Sequence, residues 1–473
     1  MPLVQLPIAN GFYVSDSLPI SRQECVNVYP VIEEKPALTQ ETLRGTPGVS
    51  QVASVGDDAC RGSHRLGDVP YFVLGTSLVS IDAAGTATNR GTIPGTGPVS
   101  MAENGTQLCI LIPSGNGYIW DGSSLTQITD SDFTANGNPT GVVFIDGYFL
   151  FTTSTNKIIV SNLNDGLAYN ALDFGSVESS PDDVVAPVVL TNQLFIGGDR
   201  TFEAFSNIGG AGFPFQRINL FLQQGMVSRY AVQVTFNTFI FIGAGNNEAP
   251  SVWTVAGNST QKVSSRAIDT LLSGLTSAEL SSVTSWSYQQ DGHFFAGFNL
   301  PSTTIVYDFT TQRWHERRST VQTSTNVSAT IAWRCVYPIS AYGRIYCGDS
   351  QSGRIGLISK TAFSEYGQDI IRTWVTQPFQ NNMQPFSVPM LELTMESGVG
   401  SLTDAASVVM SRSRNGGHSF EAPRSRGFGK QGEYQRRAIW RRNGRADRYD
   451  MYRFTINEPV KVAGIQLTAQ ITA

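Results

Sequence analysis

The stretch GYFLFTTSTNKIIVS, residues 147–161, holds an aromatic-rich apolar run, a polar turn and a second run of β-branched residues. Two such runs joined by a short polar turn describe a β-hairpin. The pattern recurs upstream as YFVLGTSLVSID from Tyr71 and LCILIPSGNGYIW from Leu108. Downstream it returns as NQLFIGGDRTFEAF from Asn192, NTFIFIGAGNNEAPSVWTV from Asn237, GHFFAGFNLPSTTIVYDF from Gly292 and GRIYCGDSQSGRIGLI from Gly343. If Phe72, Cys109, Phe149, Phe195, Ile240, Phe295 and Tyr346 are equivalent, the steps run from 37 to 55 residues. That interval suits a propeller blade of four strands.

One four-stranded sheet cannot bury both of its faces, but radial stacking lets each blade bury them on two neighbours. The runs VVFI from Val142 and FIFI from Phe239 are apolar at consecutive positions, as strands covered on both faces require. The count predicts about seven blades, or six, because the longer steps leave the register open. A two-layer sandwich is the competing arrangement for many short strands with regular turns.

Composition agrees. Of 473 residues 41% are hydrophobic and only 15% charged, with 46 Gly and 22 Pro. Helix bundles and coiled coils need long periodic runs of Ala, Leu, Glu and Lys, which are missing here. General disorder is excluded by 26 Phe, 16 Tyr and 7 Trp. No apolar run reaches membrane-spanning length, and the first twenty residues lack the basic start and apolar core of a signal peptide. Cys25, Cys60, Cys109, Cys335 and Cys347 form no C-x-x-C pair and read as buried free thiols of a chain made in a reducing cytoplasm.

The expected organisation is all-β: an extended N-terminal arm over 1–50, a β-propeller over 51–360 and a β-sandwich-like C-terminal domain over 361–473. The arm is punctuated by Pro. Beyond Lys360 the repeat stops, and in the alternating segment from Met390 the side chains Leu391, Leu393 and Met395 share one face.

The charge is unevenly placed. Between Ser411 and Phe454 stand eleven Arg and Lys430 against Glu421, Glu433, Asp447 and Asp450, a balance of 12 − 4 = +8. The whole chain carries −5, so the remainder carries −5 − 8 = −13. Arg recognises phosphate and carboxylate bidentately and stacks on aromatics. Arg424, Arg426, Arg436, Arg437, Trp440, Arg441, Arg442, Arg445 and Arg448 are therefore candidate assembly-interface or DNA-contact residues. Three readings fit them: a subunit interface with an acidic neighbour, contact with a nucleic-acid backbone, or a solvated face.

Catalytic patterns are missing. His64, His293, His315 and His418 have no metal-ligand spacing, and there is no phosphate loop, nucleophile elbow or calcium loop. No catalytic residue, metal or cofactor is expected. The segment SRNGGHSF from Ser413 resembles the Asp-box turn of sialidases, with Asn415 in place of Asp, but that box is a folding turn. A glycan-binding or sialidase-like propeller acting on host polysaccharide is the alternative function.

The chain resembles the tail accessory proteins of short-tailed bacteriophages, also called packaged-DNA stabilisation, head-completion or nozzle proteins. The resemblance rests on MPLVQLP at the start, NVYP from Asn27, LRGTPG from Leu43 and CGDS from Cys347. Its most specific part is GEYQRRAIWRRNGR from Gly432, followed by FTINEPVKVAGI from Phe454. The resemblance implies a structural virion protein of the tail, not an enzyme. It implies a homo-hexameric ring that extends the DNA channel and helps retain packaged double-stranded DNA. Its implied partners are portal and adaptor proteins above and tail fibre, spike or needle proteins below, with no membrane.

Overall fold

The computed structural model describes residues 3–34, 37–177, 182–210, 212–235, 237–324 and 327–472. Six antiparallel blades are built from consecutive strands, spanning residues 60–92, 100–127, 139–176, 184–222, 225–262 and 284–324; we number them 1 to 6. A further sheet takes three strands, Cys335–Ala341, Arg344–Asp349 and Arg354–Ser359, and is completed by Gly48–Ser54 from near the N-terminus. The first strands of successive sheets are neighbours, with Val232–Thr235 taking that place in blade 5, and the circuit closes from the last sheet back onto blade 1. The expected propeller boundary at residue 51 thus cuts through the strand that closes the ring.

Six of the seven repeat positions fall on the second strand of their sheets, Ile240 lies on Thr238–Ala244, the strand after the short pair in blade 5, and none of the seven is more than 2% exposed. Burial follows the stacking logic, because each apolar cluster is shared by adjacent sheets. Cys109, Leu111 and Ile119 of blade 2 meet Phe149 and Phe151 of blade 3. Ile145 and Leu150 of blade 3 meet Leu194 and Phe205 of blade 4 on the opposite face. Alternate residues of one strand therefore serve two cores.

Uneven steps have a physical source. The 55-residue step from Ile240 to Phe295 contains two helices, Arg266–Ser273 and Ser277–Ser281. Ser265 caps the first, and the second opens on a capping box between Thr276 and Glu279, a pattern legible in the sequence. The next step is lengthened by a hairpin, with Arg313–Ser324 pairing to Val327–Ala332.

The C-terminal domain is a two-sheet sandwich. One sheet runs Ala438–Arg441, Phe386–Met395, Ala463–Thr472, Glu41–Gly45 and Val28–Ile32, with Leu3–Leu6 added along Ala463–Thr472. The other grows out of blade 6: Arg313–Ser324, Cys25–Val26, Arg372–Val375, Tyr449–Ile456, Ala406–Ser413 and Arg424–Gly429. The described residues of the first fifty are no separate arm. They supply strands to both sandwich sheets, to the bridge between the domains and to the closing blade. Their Pro-rich sequence hides this because, apart from Gly48–Ser54, the strands are two to five residues long and carry little periodicity.

Candidate assembly interface at the arginine-lined edge

Each sandwich sheet ends on an arginine-bearing edge strand, Arg424–Gly429 in one and Ala438–Arg441 in the other. The two edges lie side by side and are stitched by side chains. Arg426 Nε donates to the Ile439 carbonyl at 2.9 Å, and Trp440 Nε1 donates to the Arg424 carbonyl at 2.8 Å. Arg424 donates to Asn443 Oδ1 at 2.6 Å. Carbonyls of an open sheet edge otherwise invite unwanted strand pairing, and charged side chains over them suppress it.

Trp440 corrects the sequence reading. Local charge density groups it with the arginines as a contact residue, but it is fully buried with its ring 5.6 Å from that of Phe454. It faces inward because strand alternation puts Trp440 and Ala438 on the core side while Arg441 points out. Arg412, one of the twelve basic residues, is also internal. Its Nε and Nη2 reach Asp450 at 2.7 Å, its Nη1 donates to the Asn443 carbonyl, and Tyr452 Oη donates to Asp450 at 2.9 Å. Burial raises the Asp450 carboxyl above its ordinary value, and the Arg412 hydrogen bonds oppose that rise.

The remaining candidates are on the surface, in two sets. Arg436, Arg437 and Arg445 are paired, with Glu433 at 3.3 Å, Glu392 at 2.6 Å and Asp447 at 3.8 Å. Glu392 raises the Arg437 guanidinium further through its hydrogen bonds. Arg426, Arg441, Arg442 and Arg448 are exposed and, among the described residues, have no carboxylate partner. Arg442 sits in the left-handed region at φ 57°, where the chain turns out of the edge strand. The structure thus gathers Arg424, Arg426, Arg441 and Arg442 along one ridge. Arg424 and Arg426 direct donors to the edge itself, while the exposed Arg441 and Arg442 are placed to receive carboxylates or phosphates.

The Asp-box-like segment is a closed turn. Asn415 Oδ1 accepts from the Ser419 amide at 3.0 Å, and Ser413 Oγ accepts from the Gly417 amide at 2.9 Å. Phe420 lies between Arg22 and Arg453, 3.8 Å from the latter's guanidinium carbon.

Sequence reasoning missed a second arginine site. Arg317 is fully buried between blade 6 and the closing blade, with its guanidinium carbon 4.7 Å from the Trp333 ring centre and 5.0 Å from that of Phe295. It hydrogen-bonds Tyr288 Oη, and His315 beside it is also fully buried. Burial holds His315 well below the usual imidazole range, with Arg317 adding to the effect. The site is enclosed, and this Arg and Tyr pack between the blades. All five thiols are buried and free, as expected. Among the described residues no group of three or more His, Cys, Asp or Glu is placed to hold a metal ion, and no helix is long and apolar enough to cross a membrane.

Residues 4–363 match the family described as Bacteriophage P22 Gp10, beta-propeller, and residues 371–472 match Bacteriophage P22 Gp10, beta-sandwich. A curated relative, the tail hub protein gp10 of Salmonella phage P22, is 22% identical over 506 residues, covering 99% of each chain. Among solved structures the chain is similar to the WD40 β-propeller domain of Doa1, at 13% identity and TM-score 0.40 over 66% of this chain and 97% of that one. It is also similar to BamB from Moraxella catarrhalis, at 12% identity and TM-score 0.38 over 71% and 97%. These last two likenesses are too slight to bear on function. The match over both domains, in order, favours the tail reading over the glycan-binding propeller: this chain belongs to the phage-stabilisation family of Bacteriophage P22 Gp10.

Proposed function

We propose that this chain is a structural subunit of a phage tail hub, built into the virion, that extends the DNA channel below the portal and helps retain packaged DNA. The observation that carries the reading is the collinear match of propeller and sandwich to the P22 Gp10 family, sustained over 99% of a tail hub relative. The fold suits the role. A ring of stacked blades locked by its own N-terminal segment is a rigid spacer, and the sandwich is tied to it through a continuous sheet. In this reading the hub is a homo-hexameric ring, with portal and adaptor proteins above and fibre, spike or needle proteins below. The chain is made in the host cytoplasm, where buried thiols stay reduced. It performs no catalysis.

Immunogold labelling of purified particles tests the proposal. Label confined to the single tail-bearing vertex is the expected result. Particles without label, with the protein free in the lysate, would overturn it.

A further inference from the structure

The two ends of the molecule carry opposite charge. Between Gly91 and Asp199 the sequence holds eleven acidic residues and one basic residue, Lys157, a balance of 1 − 11 = −10. This stretch is the end of blade 1, all of blades 2 and 3 and the start of blade 4. The sandwich is attached at blade 6. Blades 2 and 3 lie three steps from blade 6 in either direction around the ring, the furthest any sheet can be. The Arg424–Gly429 edge is five strands out from blade 6 on the other side, roughly 24 Å at ordinary strand spacing.

The acidic end also has an unusual rim. Outer strands of blades 1, 2 and 5 are polar: Ala87–Thr92, Leu125–Gln127 and Ser259–Lys262. Blade 6 and the closing blade have their outer strands covered by further pairing. Blade 3 is different. Its outer strand, Asp165–Ser176, pairs at Tyr169 and again at Phe174, so residues 170–173 bulge out of the ladder. Leu172 stands in that bulge at 80% exposure, and Ile208 of blade 4 is 65% exposed. Carboxylates flank the bulge: Asp130 accepts from the Tyr169 amide at 2.9 Å, Asp132 from the Ala171 amide at 3.2 Å, and Asp173 is in the bulge itself. A protruding apolar side chain ringed by carboxylates has the make-up of an interface core with a charged rim.

We infer that the blade 3 bulge is the surface that receives the arginine ridge of a second copy of this chain. Leu172 is the apolar anchor, and Asp130, Asp132 and Asp173 face Arg441 and Arg442 of the neighbour. Each copy would offer one face of each kind. Such a contact is heterologous: it repeats head to tail and closes into a ring when the rotation between copies permits. Like-charged faces repel, which disfavours the back-to-back dimer. The inference rests on the proposed ring and adds which surfaces meet in it.

Paired cysteines test it in assembled particles, since every native thiol is buried. Particles carrying L172C/R441C or I208C/R441C are treated with a short flexible bis-maleimide, and each single variant is treated alongside. All three positions are exposed, so the substitutions leave the core untouched. The expected result is a ladder of covalent multimers from at least one double variant and monomer from every single variant. Particles that contain the protein but give no ladder from either pair would overturn the inference and leave the tail-hub reading standing. Dimers from L172C alone would also overturn it, because they report a symmetric contact. Absence of the unaltered protein from particles would overturn the tail-hub reading itself and the inference with it.

A charge swap gives an independent arm. Replacing Arg441 and Arg442 by Glu should reduce incorporation into particles at least tenfold, and adding D173R in the same chain, which leaves the Asp132 bond to the bulge intact, should restore a measurable part of it. Failure of the combined chain to recover, with the protein still folded, counts against the pairing.

Discussion

Asn27 and Arg318 are joined twice: the Asn27 side-chain amide donates to the Arg318 carbonyl at 2.8 Å, and its oxygen accepts from the Arg318 amide at 2.9 Å. A single carboxamide thus does what a paired residue does in a β-ladder. The same nitrogen also reaches the Ile371 carbonyl at 2.8 Å, so one side chain holds blade 6, the N-terminal segment and the start of the sandwich together. Asn27 has φ 55°, a left-handed conformation that Asn tolerates better than most residues. Asn27→Ala should cost about 2–4 kcal/mol, by stranding buried backbone groups and straining the turn. Equilibrium denaturation checks the size. Asn27→Asp should be nearly as damaging, because it removes the donor while keeping the shape.

The Arg412–Asp450 pair makes a sharper prediction. Removing one partner leaves a buried charge uncompensated, so Arg412→Ala should destabilise the sandwich by roughly 3–5 kcal/mol. Replacing both at once, as R412M/D450L, should cost clearly less than the sum of the two single changes. A double-mutant cycle on urea midpoints decides it.

Stability should fall as the solution is acidified below neutrality. His315 is held well below the usual imidazole range by burial, so the folded state stays neutral where the unfolded chain takes up a proton. The unfolded state then binds more protons, and stability drops as pH falls below about 6.5, by up to about 1.4 kcal/mol per pH unit. Above that pH the contribution is complete. His315→Gln should flatten the slope between pH 7 and pH 5, as read from denaturation midpoints.

The thiols should be silent in the native protein. Burial pushes Cys60 up to about 12 and raises Cys25, Cys109 and Cys335 as well. A thiol-specific reagent should label fewer than one cysteine per chain until denaturant is added, and five after it. Labelling in the native state would show that blades open locally.

Gly297 fixes a close approach rather than a turn. A Cβ there would collide with the Trp286 ring, which is 2% exposed. Gly297→Ala should therefore cost about 1–3 kcal/mol by overpacking, with the loss measured as a shift in melting temperature. The companion variant G292A, at φ 78° with open space around it, separates backbone strain from side-chain collision.

Legibility in the sequence followed the length of the pattern. Phe72, Phe149 and Phe295 were recognisable as equivalents because each sits in a run of apolar residues demanded by burial on two faces. The bridge Cys25–Val26 was not, since two residues cannot show a period, and its parallel pairing with Glu316 joins positions 290 apart. Arg441 and Trp440 were read alike because local charge density says nothing about which face of an edge strand is buried. Arg317 gave no signal: it stands beside Arg318 in an ordinary basic stretch, and only the fold puts four aromatic rings around it. The acidic end was legible as charge but not as a place, because the bulge at Leu172 depends on strand register.

Closure by Gly48–Ser54 has a consequence for synthesis. The partner of this strand, Arg354–Ser359, is made about 300 residues later. At roughly 5–20 residues per second the segment waits on the order of 15–60 s with its hydrogen-bonding groups unpaired. Until then the circle is a chain of blades with two raw ends, able to take the closing strand of a neighbouring nascent chain instead of its own. Polysomes crowded with one message are where such exchange would arise. The yield of correctly closed protein should therefore depend on how densely ribosomes load that message.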